Sequence, residues 1–141
     1  MGFDLQDSLG FIIRKTSGKI KSEMQNRFRP WDITPEQWVF IHFLGDQDGL
    51  SPQQLSDISH KDRANTLRII DKLQRKELVT RRPCTKDRRV SHIFLTERGR
   101  RIREELEAVI RKMQMEAMAG IDLDRISELK QVLHRMLQNF G

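Results

Sequence analysis

The chain has few of the residues that cross-link or anchor a protein. Its 141 residues include one cysteine and no tyrosine. A single cysteine cannot form an intramolecular disulfide, which fits a reducing compartment. No apolar run reaches the roughly 18 residues of a membrane span. The first ten residues carry acids where a secretory signal has a basic segment. We therefore expect a cytoplasmic chain without a membrane anchor.

The sequence also lacks the patterns of enzymes and metal sites. It contains no glycine-rich phosphate loop and no nucleophile motif, and its carboxylates stand singly on the polar faces of predicted helices. The histidines are scattered, without the spacing of a zinc site. They are His42, His60, His92 and His134. We therefore expect neither enzymatic activity nor a bound cofactor.

Positive charge is concentrated in one part of the chain. Residues 61–103 contain 15 Lys and Arg against 5 Asp and Glu, a net charge of +10. The whole chain carries +6, so the remaining residues are acidic overall. Such asymmetry favours a polyanionic partner, of which nucleic acid is the commonest. The alternative is a solvated helix face followed by a charged turn.

Hydrophobic periodicity predicts six helices and one hairpin. Two start signals are the clearest: Thr34 and Ser51 each precede a proline and are followed three residues later by glutamine, which is the pattern of a capping box. The predicted helices are 4–29, 35–46, 52–59, about 63–76, from Thr96 or Glu97 to about 119, and from Asp122 or Asp124 to about 138; the predicted strands are 78–83 and 90–95.

The fourth predicted helix has two unlike sides. The apolar side consists of Leu67, Ile69, Ile70 and Leu73. The polar side consists of Lys61, Asn65, Arg68, Lys72, Arg75 and Lys76. Steps of three and four stack these polar residues along one stripe. A short helix, a tight turn, this basic helix and a basic hairpin together predict a winged helix-turn-helix.

The remaining helices exceed what a winged helix needs. We predict a mostly α fold with a small β-hairpin wing, in which the chain forms a single domain, 1–141. Its DNA-binding module is 31–99, and the helices of 1–30 and 100–141 pack against a second copy. A twofold dimer presents two basic helices and two wings, so its target would be a near-palindromic DNA duplex.

Three sequence segments resemble the MarR family of bacterial transcriptional regulators. They are ITPEQW at 33–38, LRIIDKL at 67–73, and DRR at 87–89 followed by FLTERG at 94–99. The resemblance covers nearly the whole chain. It implies a dimer of winged helix-turn-helix subunits, often a repressor released by a small ligand or by oxidation.

The resemblance implies DNA contacts from the basic helix, which would lie in the major groove. Residues in its first turns would reach base edges, and they are Arg63, Asn65, Thr66 and Arg68. Lys72 and Arg75, farther along the helix, would hold phosphates. Two alternatives stay open. Arg68 could instead pair with Asp71 or Asp62, and Thr66 leans toward the apolar side, where it could pack.

The resemblance also implies DNA contacts from the wing, at about 83–90. Arg89 would enter the minor groove, and Asp87 would pair with it and fix its direction. Lys86 and Arg88 would meet phosphates. Glu77 departs from the family pattern, which has glycine there, so a left-handed backbone at that position would be strained by about 1 kcal/mol or more.

Two further features carry alternative interpretations. Cys84 lies among cations that lower a thiol's pKa, so it is either a redox sensor or an inert surface thiol. An aromatic-rich set is either plain core or a pocket for a small aromatic effector. That set is Ile12, Trp31, Trp38, His42 and Phe43. A different class of function, a winged-helix module that binds an acidic protein partner, also remains open.

Overall fold

A computed structural model describes residues 2–141 as six α-helices and one hairpin. The helices are α1 (Leu9–Phe28), α2 (Pro35–Asp46), α3 (Pro52–Ser59), α4 (Arg63–Arg75), α5 (Glu97–Ala117) and α6 (Leu123–Asn139), and the strands are β1 (Val79–Pro83) and β2 (Ser91–Leu95). A 3₁₀ turn, Arg29–Trp31, follows α1. The predicted fold class, mostly α with a small hairpin, is confirmed.

The two predicted capping boxes fix the starts of α2 and α3. The hydroxyl of Thr34 accepts a hydrogen bond from the N–H of Gln37 at 3.1 Å, and the Gln37 side chain accepts one from the N–H of Thr34 at 3.2 Å. Ser51 and Gln54 form the same pair of bonds at 3.1 and 2.8 Å. Because these bonds satisfy backbone donors that have no partner inside the helix, both helices begin where the sequence predicts.

The first helix is shorter than predicted. It begins at Leu9 rather than at residue 4, because the Ser8 hydroxyl accepts a hydrogen bond from the N–H of Phe11 and caps the helix. The side chain of Asp4 accepts a bond from the N–H of Gln6, which holds the preceding residues in a non-helical conformation. Only Phe28 of α1 is buried, so most of the apolar stripe of this helix faces solvent.

The hairpin pairs β1 and β2 antiparallel, with Val79 opposite Leu95 and Pro83 opposite Ser91. Leu50 adds one isolated bridge to Ile93, closed by hydrogen bonds of 2.8 and 2.9 Å. Leu50 thus pairs with the edge of β2 that β1 leaves free. Each strand is one residue shorter at its start than predicted.

The chain divides into two compact units, one ending at Glu107 and the other Ala108–Gly141. In the first unit, the core comes from α2, α3, α4 and the hairpin. Its fully buried side chains include Phe40, Ile41, Leu44, Leu55, Ile70, Leu73 and Ile93. The prediction of a single domain over 1–141 stays a prediction.

The second unit contains the end of α5 and all of α6. No residue of α6 is buried, and Leu129, Val132 and Leu137 are each more than half exposed. Asp122 lies at the predicted cap position of α6, although its side chain makes no capping hydrogen bond. Among residues 2–141, no helix is long and apolar enough to cross a membrane.

Candidate nucleic-acid interface

The turn between α3 and α4 sets the direction of the basic helix. His60 adopts a left-handed conformation, with φ of 57°, in a turn where glycine is common. The Ser56 hydroxyl donates to the carbonyl oxygen of Lys61 at 2.6 Å, which fixes the chain as it leaves the turn. Asp62 then caps α4 by accepting from the N–H of Asn65 at 2.7 Å. Its carboxylate also complements the positive end of the helix.

The side of α4 that faces away from the core is cationic. Arg68, Lys72 and Arg75 are exposed, and Asn65 is half-buried. Arg63 is exposed too, and its guanidinium donates to Oε1 of Gln53 on α3 at 3.0 Å. The alternative partners proposed for Arg68 are engaged elsewhere, since Asp71 pairs with Arg81 and Asp62 caps the helix.

Three residues of the basic helix do not lie where the sequence predicts. Thr66 is fully buried, so the prediction that it faces DNA is wrong and the packing alternative holds. Leu67, assigned to the apolar side, is instead 36% exposed. Lys76, assigned to the cationic stripe, instead bonds to residues of another segment. Its ammonium donates to the carbonyl oxygen of Asp32 and, at 3.1 Å, to Oε1 of Gln37.

A cleft of about 270 Å³ lies beside the cationic side of α4, next to the start of α2. Asn65, Arg68 and Lys72 line it together with Lys61 and Glu36. Burial raises the pKa of Glu36, but the hydrogen bond from Lys21 and the nearby cations outweigh burial and lower the pKa overall. Glu36 is therefore an anion that offsets part of the positive charge on this side of the helix.

A larger cleft, of about 500 Å³, separates α4 from the hairpin and is here called the wing cleft. It is lined by Ser51, Pro52 and Gln53 of the α3 start, Arg63, Leu67 and Asp71 of α4, and Arg81, Arg89, Val90 and Ser91 of the hairpin. Three of these side chains are arginines, so the cleft between helix and hairpin suits an anionic backbone.

The hairpin tip holds one arginine in a fixed direction. The Asp87 carboxylate accepts hydrogen bonds from the N–H of Arg89 at 3.0 Å and from its Nε at 3.2 Å. These bonds lower the pKa of Asp87 and keep it ionised. The Arg89 side chain is 91% exposed, so the guanidinium projects into solvent while its carboxylate partner orients it. Lys86 and Arg88 beside it are also exposed.

The start of the hairpin is fixed by a Schellman motif at the end of α4. The N–H of Leu78 donates to the carbonyl oxygen of Leu73, and that of Glu77 donates to that of Gln74, both at 3.0 Å. Glu77 occupies the position where this motif favours glycine, and its φ is 61°. The left-handed backbone expected for the family's glycine is therefore present here on a residue that bears a side chain.

The start of α5 contacts the same place. The Thr96 hydroxyl donates to the carbonyl oxygen of Glu77 at 2.7 Å, and the N–H of Thr96 donates to that of Leu78 at 3.0 Å. A side-chain carbon added at Gly99 would collide with the carbonyl oxygen of Leu78. Thr96 and Gly99, two residues of the FLTERG segment, thus let α5 approach the base of the hairpin closely.

An ion pair joins α4 to the hairpin. Nη2 of Arg81 on β1 lies 2.5 Å from Oδ1 of Asp71 on α4. Arg82, the next residue, places its guanidinium 4.5 Å from the centre of the Phe94 ring on β2. Sequence periodicity could not predict this ion pair, because the pair depends on the distance between two elements, whereas periodicity reports spacing within one element.

The structure brings together some of the predicted effector-pocket residues. The Trp38 ring stacks on His42 with ring centres 5.4 Å apart, and His42 meets Phe43 edge-on at 5.9 Å. Trp31 donates from Nε1 to Oε2 of Glu105 at 2.6 Å, and Ile12 on α1 is 43% exposed. The clefts on either side of α4 are lined by other residues. The effector pocket stays a prediction.

Cys84 lies at the base of the hairpin tip and is half-buried. Its backbone N–H donates to the carbonyl oxygen of Val90 at 2.7 Å, which closes the seven-residue loop 84–90. This bond involves the backbone rather than the thiol, so either interpretation of the thiol is compatible with it.

Comparison with known proteins agrees with this geometry. Residues 33–91 match the model of the MarR family. A MarR transcriptional regulator from Methanosarcina mazei is 26% identical, with a TM-score of 0.83, over 93% of this chain and 94% of that one. Staphylococcus aureus MepR, solved in complex with DNA, is 21% identical, with a TM-score of 0.86, over 95% and 97%.

A third similar structure is Bordetella bronchiseptica BpsR, whose DNA binding is regulated by 6-hydroxynicotinic acid. It is 20% identical, with a TM-score of 0.89, over 96% of this chain and 97% of BpsR. Members of the matched family regulate transcription and are not enzymes. Residues 33–91, which hold the helix-turn-helix and most of the hairpin, are therefore similar to the MarR family, and nearly the whole chain shares its fold with solved winged helix-turn-helix regulators.

Proposed function

We propose that the protein is a dimeric, sequence-specific repressor that binds a pseudo-palindromic operator and is released by a small aromatic ligand. The observation that carries the proposal is the pairing of an exposed cationic helix side with an oriented arginine at the hairpin tip. Both belong to one module, and both place positive charge where it favours binding of duplex DNA. A regulator of this kind acts on DNA in the cytoplasm.

In this proposal α4 enters the major groove. Arg63, Asn65 and Arg68 lie in its first half, where side chains reach base edges. Lys72 and Arg75 lie farther along and hold phosphates, which position the helix without reading sequence. The bond between Arg63 and Gln53 supports this arrangement, because it holds the arginine at the helix start before DNA arrives.

The wing enters the adjacent minor groove in this proposal. Arg89 supplies a guanidinium to the strongly negative groove, and its bonds to Asp87 reduce the freedom lost on binding. Lys86 and Arg88 contact the flanking phosphates. The ion pair between Asp71 and Arg81 supports simultaneous contact with both grooves, because it ties the recognition helix to β1.

A second copy of the chain covers the exposed apolar side chains in this proposal. On α1, Leu9 and Ile12 are 55% and 43% exposed, and on α6, Leu129 and Leu137 are 52% and 70% exposed. Apolar faces of this extent on terminal helices are typical of subunit contacts, because burying them is favourable. A twofold axis then repeats α4 and the wing along the duplex.

The proposed effector site is the set Ile12, Trp31, Trp38, His42 and Phe43. Two buried nitrogens, Nε1 of Trp38 and Nδ1 of His42, have no hydrogen-bond partner within the described chain, and the Glu107 carboxylate lies 3.9 Å from Nδ1. Such groups are rare, and an aromatic acid would offer both a ring to stack and an oxygen to accept. The regulation of BpsR by 6-hydroxynicotinic acid provides a precedent in a protein of the same fold.

Selection of bound duplexes from a random pool tests the proposal. We expect a short site with twofold symmetry, bound with nanomolar affinity that weakens steeply with salt. Repeating the selection with aromatic acids should reduce recovery of that site, and repeating it with an oxidant tests redox release through Cys84. Recovery of no duplex, or a nearly flat salt dependence, would instead favour a protein partner.

A matched pair of variants shows whether the wing contributes. Arg89→Ala should lower affinity for the selected site several-fold or more, because it removes the minor-groove guanidinium. Lys15→Ala removes one positive charge from exposed α1, outside the proposed interface, and should leave affinity nearly unchanged. Equal losses in the two variants would show a general charge effect rather than recognition by the wing.

A further inference from the structure

One exposed side chain of α4 is large and apolar. Leu67 is 36% exposed, whereas Thr66, Ile69 and Ile70 around it on α4 are buried. Single exposed leucines are common on protein surfaces and carry little information by themselves. Leu67 differs through its position, because it lines the wing cleft together with Arg63 and other arginines.

Helical spacing places Leu67 in the part of α4 that reaches DNA. It is the fifth residue of the helix and lies one turn after Arg63. Ala64, three residues before it, is also exposed. These two side chains form a small apolar patch between Arg63 and Arg68. The arginines of the wing cleft suit phosphate, but an apolar patch gains nothing from contact with phosphate, so its favourable partner on the duplex is an apolar group.

The floor of the major groove offers one apolar group. Only thymine carries a methyl group there, at C5, where cytosine carries a single hydrogen, and the remaining groups that distinguish the bases are hydrogen-bond donors or acceptors. We infer that Leu67 determines specificity by packing on the C5-methyl group of a thymine in each half-site. This inference rests on the proposed function, since it concerns the site that the DNA-binding dimer reads.

A contact between Leu67 and a thymine methyl group would make the protein's preference for its DNA sequence partly hydrophobic. The arginines on α4 attract any duplex through its phosphates, whereas Leu67 favours thymine over the other bases at one position. Removing the thymine methyl should cost the burial of one methyl-sized group, which corresponds to about a fourfold loss of affinity for each half-site.

Substitution of deoxyuridine for thymine tests the inference, because it removes only the methyl group. Each thymine in one half-site of the selected duplex is replaced singly, and affinity is measured by fluorescence anisotropy. For the wild-type protein we expect one position near the centre of the α4 contact to lose about fourfold. For Leu67→Ala we expect thymine and deoxyuridine to bind equally at that position.

The control variant is Ile58→Ala. Ile58 is 40% exposed on α3 and does not line the wing cleft, so this variant removes a similar apolar surface from a neighbouring helix. It should retain the full deoxyuridine penalty. Equal thermal unfolding midpoints for the three proteins would show that truncation leaves the fold intact.

The outcomes separate the inference from the proposed function. A selected duplex that shows no deoxyuridine penalty, or a penalty that persists in Leu67→Ala, overturns the inference while DNA binding stands. Loss of the penalty in Ile58→Ala as well overturns it too, because the effect then does not belong to Leu67. Failure to select any duplex overturns the proposed function, and the inference falls with it.

Discussion

Replacing Glu77 by glycine should stabilise the protein, because Glu77 ends α4 in a left-handed conformation. Its φ is 61°, and the two Schellman hydrogen bonds hold it there. For a residue with a side chain, this conformation lowers the free energy of unfolding by about 1–2 kcal/mol. Glycine avoids that cost but loses about 0.5–1 kcal/mol more chain entropy on folding. We expect a net gain of about 0.5–1 kcal/mol, or about 2–4 °C in Tm.

Thermal unfolding followed by circular dichroism measures this gain, at one fixed protein concentration because subunit association shifts Tm. Glu77→Ala is the matched control, since it removes the carboxylate but keeps the Cβ atom that causes the strain, and it should bring no gain. Gly120→Ala makes the opposite change at a φ of 77° in open space, and it should cost about 1 kcal/mol. Equal gains from Glu77→Ala and Glu77→Gly would refute the explanation by backbone strain.

Three further variants test separate contacts. Thr66→Val should raise the free energy of unfolding by about 1 kcal/mol, because the buried Thr66 hydroxyl has no hydrogen-bond partner within residues 2–141. The same variant should leave DNA affinity within twofold. A large loss of affinity would instead support the original prediction that Thr66 faces DNA. Lys72→Ala removes two proposed phosphate contacts from a dimer. The slope of log affinity against log salt concentration should therefore become shallower by about 2, while the preferred DNA sequence stays the same. A changed sequence preference would contradict the phosphate role of Lys72. If the Cys84 thiol is inert, Cys84→Ser should bind DNA with the affinity of the wild type, both with and without oxidant. An oxidant response that the wild type shows and Cys84→Ser lacks would establish the redox alternative.

Local signals in the sequence predicted the starts of most helices. Thr34 and Ser51 each cap a helix through bonds to residues three positions later, and such bonds depend only on nearby sequence. The start of α1 was predicted five residues too early, because apolar periodicity continues through Leu5. The capping hydroxyl of Ser8 decides the boundary instead, and serine alone is a weaker signal than a complete capping box.

Contacts between elements could not be predicted from spacing. Lys76 fits the cationic stripe on a helical wheel, but in the structure its ammonium bonds to the carbonyl oxygen of Asp32 and to Gln37, near the start of α2. Arg81 looked like one more cation of the hairpin, yet it pairs with Asp71. In both cases the partner depends on how separate elements pack against each other. Such packing leaves no periodic pattern in the sequence.

Two neighbours on α4 were difficult to assign: the helical wheel placed Leu67 on the apolar side, and it leaned Thr66 toward that side although the family resemblance implied a DNA contact. Thr66 and Leu67 lie near the boundary between the buried and exposed sides, where a rotation of the helix by a few tens of degrees reverses the outcome. Polarity favoured exposing the threonine and burying the leucine, whereas packing did the opposite. The burial of Thr66 removes it from the candidate DNA contacts, and the exposure of Leu67 is the observation on which our inference about Leu67 rests.

The central claim is that two subunits together hold one pseudo-palindromic duplex. Sedimentation of the selected duplex with increasing protein tests this most directly, because it measures the mass of the complex. We predict saturation at two 16.7 kDa chains per duplex, and free protein that already sediments as a dimer. Saturation at one chain per duplex, or free protein that remains a single chain at the concentrations of binding, would contradict the account.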